Sequence, residues 1–159
     1  MRWLMHLISP LVFWVAYALF RSSVLRKSER KHRWVMKVFR FAADNGNTRA
    51  LSVYGHLLHF RGDGVQNRIQ GGIYLLRAAD AGDPKAQYQM GKIYETGFEH
   101  YFQPNQEKSV HYYQLAAKQD HTLAVQRMVE LYRDGGLGVE PDSETQQRWE
   151  LRLPELPQR

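Results

Sequence analysis

Residues 75–97, LLRAADAGDPKAQYQMGKIYETG, decide the fold, because helix-breaking residues stand there between two apolar stretches. Asp83 and Pro84 are typical of an N-cap and a first-turn proline, so a helix is predicted to begin at this point. Gly82 is a typical stop after the preceding segment, which closes on an Ala-Ala pair. The stretch therefore predicts the end of one helix and the start of the next.

The same pattern recurs along the chain at offsets of 36 and 38 residues, in six aligned registers. In each unit the first segment carries apolar residues at i, i+4 and i+8, which predicts an amphipathic helix. The recurring sets are Ala42, Ala78 and Ala116; Gly46, Gly82 and Asp120; Ala50, Ala86 and Ala124; Tyr54, Met90 and Met128; Gly55, Gly91 and Val129; and Leu58, Tyr94 and Tyr132. Each unit is therefore predicted to be a helical hairpin that stacks on the next one.

Gly55 and Gly91 lie inside predicted helices, where a glycine costs up to about 1 kcal/mol relative to alanine. The two occupy the same register, 36 residues apart. A cost repeated at a fixed interval predicts that a neighbouring helix approaches closely at these positions.

Three stretches resemble the Sel-one-like repeat (SLR) family, which is related to the tetratricopeptide repeats. They are AQYQMGKIYETG (86–97), EKSVHYYQLAA (107–117) and GLGVEPDSETQQRW (136–149). The resemblance covers about residues 34–152 and implies an α-solenoid that binds proteins as an adaptor or scaffold, often in bacterial envelope or signalling systems. Two departures are the loss of the Gly-x-Gly-Val turn in the second unit and the prolines Pro154 and Pro157, which end the array.

The predicted fold is all-α, a short right-handed α-solenoid of about three helical-hairpin repeats preceded by a transmembrane helix. The predicted domains are a membrane anchor or uncleaved signal sequence at 1–21, a basic juxtamembrane segment at 22–33, the repeat domain at 34–153 and a tail at 154–159.

The anchor prediction depends on residues 3–20, which are 18 residues without a formal charge. As a helix they extend about 27 Å, at the short end of what a bilayer needs. A cleaved signal peptide is the alternative, because Ala16-Tyr17-Ala18 has the small-x-small pattern of a processing site. The dense positive charge after the apolar run favours an uncleaved single span with a cytoplasmic body.

The net charge of +6 is concentrated in residues 21–40, which hold eight Lys/Arg against Glu29 alone. The rest of the chain from Phe41 onward has thirteen Lys/Arg and fifteen Asp/Glu. A helix is predicted from about Ser28 to Asp44, and attraction to anionic lipid headgroups is one interpretation of its charge. Nucleic acid is not an expected partner, since no recognition motif accompanies the charge. The predicted headgroup contacts are Arg21, Arg26, Lys27, Arg30 and Lys31.

The sequence predicts neither an enzyme nor a cofactor. It has no cysteine, and no nucleophile elbow, phosphate loop or HExxH pattern is present. His56 and His59 lie three residues apart on one helix, with His100, Glu95 or Glu99 conceivable as further ligands. Because nothing in the pattern enforces a third ligand, the two histidines are interpreted as surface residues and no metal site is predicted.

A protein partner is expected on the concave side of the first helices, where repeat arrays usually bind. The loop 98–105 is rich in aromatic residues, which either pack between repeats or contact the partner. The predicted partner-binding residues are His56, His59, Gln89, Lys92, Phe98, Tyr101, Phe102, Arg127 and Glu130.

These features predict a membrane-anchored interaction scaffold whose repeat domain lies on the cytoplasmic side of the inner membrane, with no small-molecule substrate. The first alternative is an exported periplasmic repeat protein that acts as an inhibitor or an envelope assembly factor. The second is a module that binds anionic lipid through the basic helix, and the third is a hydrolase.

Overall fold

A computed structural model describes the backbone of residues 2–21 and 29–154 and the side chains of 8–19 and 33–154. The chain divides into two compact units, Met1–Ala81 and Gly82–Arg159. The described residues form eight α-helices. They are α1 (Arg2–Arg21), α2 (Glu29–Asp44), α3 (Thr48–Arg61), α4 (Gly64–Asp80), α5 (Pro84–Thr96), α6 (Gln106–Lys118), α7 (Thr122–Asp134) and α8 (Ser143–Glu150).

The first unit contains two helix pairs, α1 with α2 and α3 with α4. On α1, Phe13 is buried with its ring centroid 5.8 Å from that of Phe39 on α2. The buried Ser9 hydroxyl donates a hydrogen bond to the Ala42 carbonyl at 3.2 Å. On α4, the hydroxyl of Tyr74 donates to the Asp44 carboxylate at the end of α2, at 2.8 Å. This hydrogen bond links the α3–α4 pair to the α1–α2 pair.

The second unit pairs α5 with α6 and α7 with α8. The buried Ser109 hydroxyl on α6 donates to the Gly91 carbonyl on α5 at 2.8 Å. Met128 on α7, Tyr113 on α6 and Trp149 on α8 belong to one buried apolar cluster. That cluster joins the two hairpins of the unit.

The predicted start of α5 is confirmed. Asp83 has extended backbone angles, and its carboxylate accepts a hydrogen bond from the Ala86 amide at 2.8 Å. Pro84 is the first residue of the helix, where its missing N–H costs nothing. Asn47 caps α3 in the same register, accepting from the Ala50 amide at 2.9 Å.

The close approach predicted at the two helical glycines is also confirmed. A Cβ atom at Gly55 would lie 2.9 Å from the backbone nitrogen of Leu75 on α4. One at Gly91 would lie 2.5 Å from the buried ring of Tyr113 on α6. The space that an alanine would need is therefore filled by the partner helix of the same hairpin.

The all-α prediction is confirmed, but the predicted number of repeats needs correction and the predicted membrane span finds no support. Within the described residues there are four helix pairs, where about three repeats were predicted. No helix in the described part of the chain has both the length and the apolarity that crossing a bilayer requires, so the transmembrane helix predicted at 1–21 is not supported. Instead α1 packs one face, formed by Ser9, Phe13 and Ala16, as the first helix of an additional hairpin.

The predicted boundary at residue 33 falls inside α2, which begins at Glu29. The other predicted domain limits, the tail at 154–159 and the right-handed sense of the array stay predictions. Residues 22–28 and 155–159 lie outside the described part of the chain.

Candidate protein-binding surface

The second unit has a surface of mixed chemistry on the first helices of its two hairpins. We define the α5–α7 face as Tyr88, Lys92 and Glu95 on α5 together with Leu123, Arg127 and Glu130 on α7. Each set has i, i+4 and i+7 spacing, which places its members on one side of a helix. Lys92, Glu130 and Leu123 are exposed, and Leu123 keeps 52% of its surface accessible.

Arg127 connects the two helices of this face. Its guanidinium donates to the Glu95 carboxylate at 2.6 Å and to the Glu130 carboxylate at 3.0 Å. Burial lowers the pKa of Arg127, but the hydrogen bonds to the two carboxylates outweigh burial, and the net pKa is raised. Glu95 also accepts a hydrogen bond from the buried Tyr113 hydroxyl at 2.6 Å. Arg127 and Glu95 are therefore held in place before any partner arrives.

Tyr88 forms the aromatic part of the face. The ammonium of Lys92 lies 6.0 Å from its ring centroid, and the His121 ring stacks on it at 4.9 Å. Burial raises the pKa of the Tyr88 hydroxyl, Arg127 acts in the lowering direction, and Glu130 and Glu95 act in the raising direction. Three of the four charged groups of the face, Arg127, Glu130 and Glu95, therefore influence the pKa of the Tyr88 hydroxyl.

The nine predicted partner-binding residues differ in their solvent accessibility. Lys92, Glu130 and Tyr101 are exposed, whereas His56, Phe98 and Arg127 are partly buried. His59, Gln89 and Phe102 are buried, with Gln89 and His59 each 8% accessible. The buried three expose little surface, and their role in partner binding stays a prediction.

The interpretation of both histidines as surface residues is wrong for His59. Its Nδ1–H donates to the Arg68 carbonyl on α4 at 3.3 Å, so it packs between the helices of its hairpin. His56 instead donates from Nδ1 to the Ser52 carbonyl one turn earlier, at 2.7 Å. Among the described residues, no three His, Asp or Glu side chains converge in a way that could hold a metal ion.

The aromatic loop buries one of its rings and exposes another. Phe98 and Phe102 exchange backbone hydrogen bonds of 2.8 and 3.0 Å around a tight turn. Phe102 is buried, edge-on to Tyr94 at 6.0 Å, while Tyr101 stays 57% accessible. The loop therefore anchors itself with Phe102 and leaves one aromatic side chain exposed.

The predicted headgroup contacts lie outside the residues whose side chains are described. Arg26 and Lys27 are in the undescribed segment 22–28, and of Arg21, Arg30 and Lys31 only the backbone is described. Their role stays a prediction.

Sequence analysis missed Tyr88, Glu95 and Leu123 as parts of a surface. Their i, i+4, i+7 spacing with Lys92, Arg127 and Glu130 indicates that they share one side of a helix with those residues, and this spacing is visible in the sequence. The ion pair that brings the two helices together depends on tertiary packing, so local spacing does not predict it.

We expect the free energy of unfolding to decrease as the pH falls from about 7 to about 5. Burial lowers the pKa of both His59 and His121 from the ordinary value of 6.5. Below that value the unfolded chain takes up protons that the folded chain does not, so acid favours the unfolded state. His121→Phe keeps the stacking on Tyr88 and removes the titrating group. Urea unfolding across this pH range should therefore show a shallower pH dependence for this variant, and an unchanged dependence would contradict the assignment.

The hairpin pairs and the α5–α7 face define a helical-hairpin repeat protein. The family model described as the Sel1 repeat matches residues 48–83 and 84–121, which contain the α3–α4 and α5–α6 hairpins. This match confirms the predicted family resemblance. Among curated proteins, none matches the chain.

Solved structures show the same fold. A Sel1 repeat protein from Oxalobacter formigenes is 26% identical, with a TM-score of 0.73 over 89% of this chain and 56% of that one. A protective antigen of uropathogenic Escherichia coli with an SLR fold is 28% identical, with a TM-score of 0.74 over 91% of this chain and 30% of that one. An immunity protein from Pseudomonas aeruginosa is 22% identical, with a TM-score of 0.61 over 88% of this chain and 52% of that one. The chain thus spans between about a third and about half of the length of these relatives.

Proposed function

We propose that this chain is a protein-interaction module that binds a protein partner through the α5–α7 face. The observation that carries the proposal is the face itself, where the exposed Leu123 lies one helical turn before Arg127 of the Glu95–Arg127 ion pair. Sel1 repeats supply the fold, and arrays of stacked helical hairpins commonly bind proteins. The proposal assigns the chain no catalytic step, cofactor or substrate.

The chemistry of the face favours a protein over a polyanion. Lys92 and Arg127 contribute two positive charges, and Glu95 and Glu130 contribute two negative ones. Polyanion binding depends on an excess of cations that neutralise phosphates, which a balanced face does not provide. Tyrosine and arginine are enriched in protein interfaces, and the exposed leucine adds apolar surface for a partner to bury.

Site-specific photo-crosslinking in cells tests this function. We expect a photoreactive residue at Lys92, Leu123 or Glu130 to give the same discrete adduct, because all three lie on one face. Positions His111 and Lys118 on α6 are exposed matched controls and should not give it. Adducts from the α6 positions alone, or equal adducts from both sets, would contradict the assignment of the surface.

We also propose that the chain acts at a membrane surface. The concentration of Lys/Arg in residues 21–40 supports this location. We place the repeats on the cytoplasmic side of the inner membrane, with an exported periplasmic protein as the alternative. Protease added to intact cells should leave the repeats undigested until the inner membrane is opened. Digestion after opening the outer membrane alone would favour the exported alternative.

A further inference from the structure

The outward side of α2 carries two exposed aromatic rings among cations. We define the α2 outer face as Arg33, Trp34, Lys37, Arg40 and Phe41, and all five side chains are exposed. Trp34 and Phe41 lie two helical turns apart, and their side chains keep 54% and 40% of their surface accessible. Exposed apolar patches bordered by polar residues are typical of sites that contact proteins or membranes.

Helical geometry places the cations and the two rings on the same side of α2. At about 100° per residue, the five positions fall within an arc of about 120°. The opposite side of the helix, with Val35, Phe39 and Ala42, is buried, and Phe39 packs on Phe13 of α1. Charge and aromatic surface therefore occur together on one helix, without any contribution from a neighbouring helix.

The two exposed rings are a property of α2 and not of the repeat pattern. The offsets of the repeat relate each ring position to one residue on α4 and one on α6. The equivalents are the exposed Gln70 and Lys108 for Trp34, and the exposed Arg77 and partly buried Leu115 for Phe41. Since none of these four residues is aromatic, stacking of the hairpins does not explain Trp34 and Phe41, and a contact made by α2 alone does.

We propose that the α2 outer face binds the surface of an anionic lipid bilayer. Aromatic rings are favoured at the depth of the headgroups, and each Lys or Arg near the surface adds attraction to anionic lipid. Among the residues of α2 whose side chains are described, Asp44 is the single anion, and it pairs with Arg40 at 3.6 Å. Three cations and one anion give this side of the helix an excess of two positive charges.

Charge and apolarity together decide between a bilayer and other occupants. A symmetric contact of two copies would bring together two sets of Arg33, Lys37 and Arg40, whose like charges repel. The phosphates of a nucleic acid complement the cations but give the two rings no apolar surroundings. An anionic bilayer provides both, with charged headgroups above an apolar region. This inference rests on the proposed membrane location and is independent of the α5–α7 face.

A fluorescent label reports whether this face meets lipid. The chain contains no cysteine, so a single introduced cysteine can carry an environment-sensitive dye. We expect the dye at Lys37→Cys to shift its emission to shorter wavelength with vesicles of phosphatidylcholine and phosphatidylglycerol, but not with phosphatidylcholine alone. Lys118→Cys, exposed on α6, is the matched control and should show no shift.

Vesicle co-sedimentation of the full-length chain tests the rings. Trp34→Ser with Phe41→Ser should weaken binding about tenfold or more, because binding removes the apolar surface of both rings from water. Leu151→Ser, at an exposed apolar residue of the second unit, is the matched control and should bind as the unaltered chain does. Circular dichroism and thermal unfolding establish that each variant is folded before binding is compared.

The cations are tested by Arg33→Glu with Lys37→Glu, which should also weaken binding about tenfold or more. Lys118→Glu is the control for a change of charge at an exposed residue. Binding of the unaltered chain should be lost at about 1 M salt, where charge is screened within about 3 Å.

Four results would overturn the inference. They are no binding to the anionic vesicles, equal binding to neutral vesicles, unchanged binding of the Trp34/Phe41 double variant, and vesicle binding without a dye shift at Lys37. The last result would assign lipid contact to another part of the chain. Without vesicle binding, a dimer that the double variant abolishes would assign the face to a second copy, and binding of a DNA duplex would assign it to nucleic acid.

The proposals fail separately. Crosslinking from Lys92 reads out the α5–α7 face without reference to lipid. Fractionation of cells reports the membrane location, which stands if the Trp34/Phe41 variant remains with the membrane and binds vesicles normally, whereas the role of the α2 outer face is then refuted.

Discussion

Replacement of Gly71 by alanine is expected to lower the free energy of unfolding by about 3 kcal/mol. A Cβ atom at this position would lie 2.3 Å from the backbone nitrogen and 2.8 Å from the Cα of His59. Those are backbone atoms of α3, so no side-chain rotation can make room. The two helices of the α3–α4 hairpin would have to separate, and the gain of up to about 1 kcal/mol in helix propensity would not offset the lost packing.

Urea unfolding measures this effect as a shift of the midpoint at constant slope. Gln70→Ala is the matched control, because Gln70 is the exposed neighbour on the same helix and should change stability by less than about 0.5 kcal/mol. An equally stable Gly71→Ala protein would show that α3 and α4 do not approach as described.

Replacement of Gly91 by alanine is the second large effect, with an expected loss of about 2 kcal/mol. The added methyl would meet the Tyr113 ring at 2.5 Å. The ring is buried, and its hydroxyl is fixed by the hydrogen bond of 2.6 Å to Glu95. Because the obstacle is a side chain, the strain can be relieved by changing that side chain.

A double-mutant cycle tests this explanation. Tyr113→Leu should cost less stability in the Gly91→Ala background than in the unaltered chain, with a coupling of about 1 kcal/mol or more. Additive effects of the two changes would contradict a direct clash.

The helix boundaries from α3 onward were largely predictable from the sequence. Asp83 with Pro84 predicts the start of α5, and the structure shows the predicted cap contact. The repeated glycines predict close helix contacts, because a costly residue at a fixed interval needs a packing reason. Local chemistry and periodicity are sufficient here because each hairpin is built mainly from short-range contacts.

The role of α1 was not predicted, although the sequence contains a relevant signal. Ala42-Ala43 stands in register with the Ala-Ala pairs that end α4 and α6, so α2 is the second helix of a hairpin and needs a first helix. Mean hydropathy over residues 3–20 does not distinguish apolar side chains that face α2 from those that face outward, so it does not reveal that α1 belongs to a hairpin. The Ser9 to Ala42 hydrogen bond makes that distinction in the structure.

The candidate site was predicted only in part. Lys92 and Glu130 were identified and are exposed, but Gln89 was also expected at the surface and is buried. Adjacent residues on a helix differ in direction by about 100°, so a shift of one residue changes which side chain is accessible. The Glu95–Arg127 contact joins residues 32 positions apart and arises only when two hairpins pack together.

Binding of the crosslinked partner, once purified, gives the most direct test of the proposed function. Calorimetric titration should show an affinity loss of about tenfold or more for Lys92→Glu with Leu123→Asp, since truncation of central interface contacts commonly costs at least about 1 to 2 kcal/mol. Lys118→Glu with Leu151→Asp, at exposed positions outside the α5–α7 face, should bind as the unaltered chain does. Equal affinities for all three proteins, or a loss confined to the second pair of substitutions, would contradict the assignment of the α5–α7 face as the binding surface.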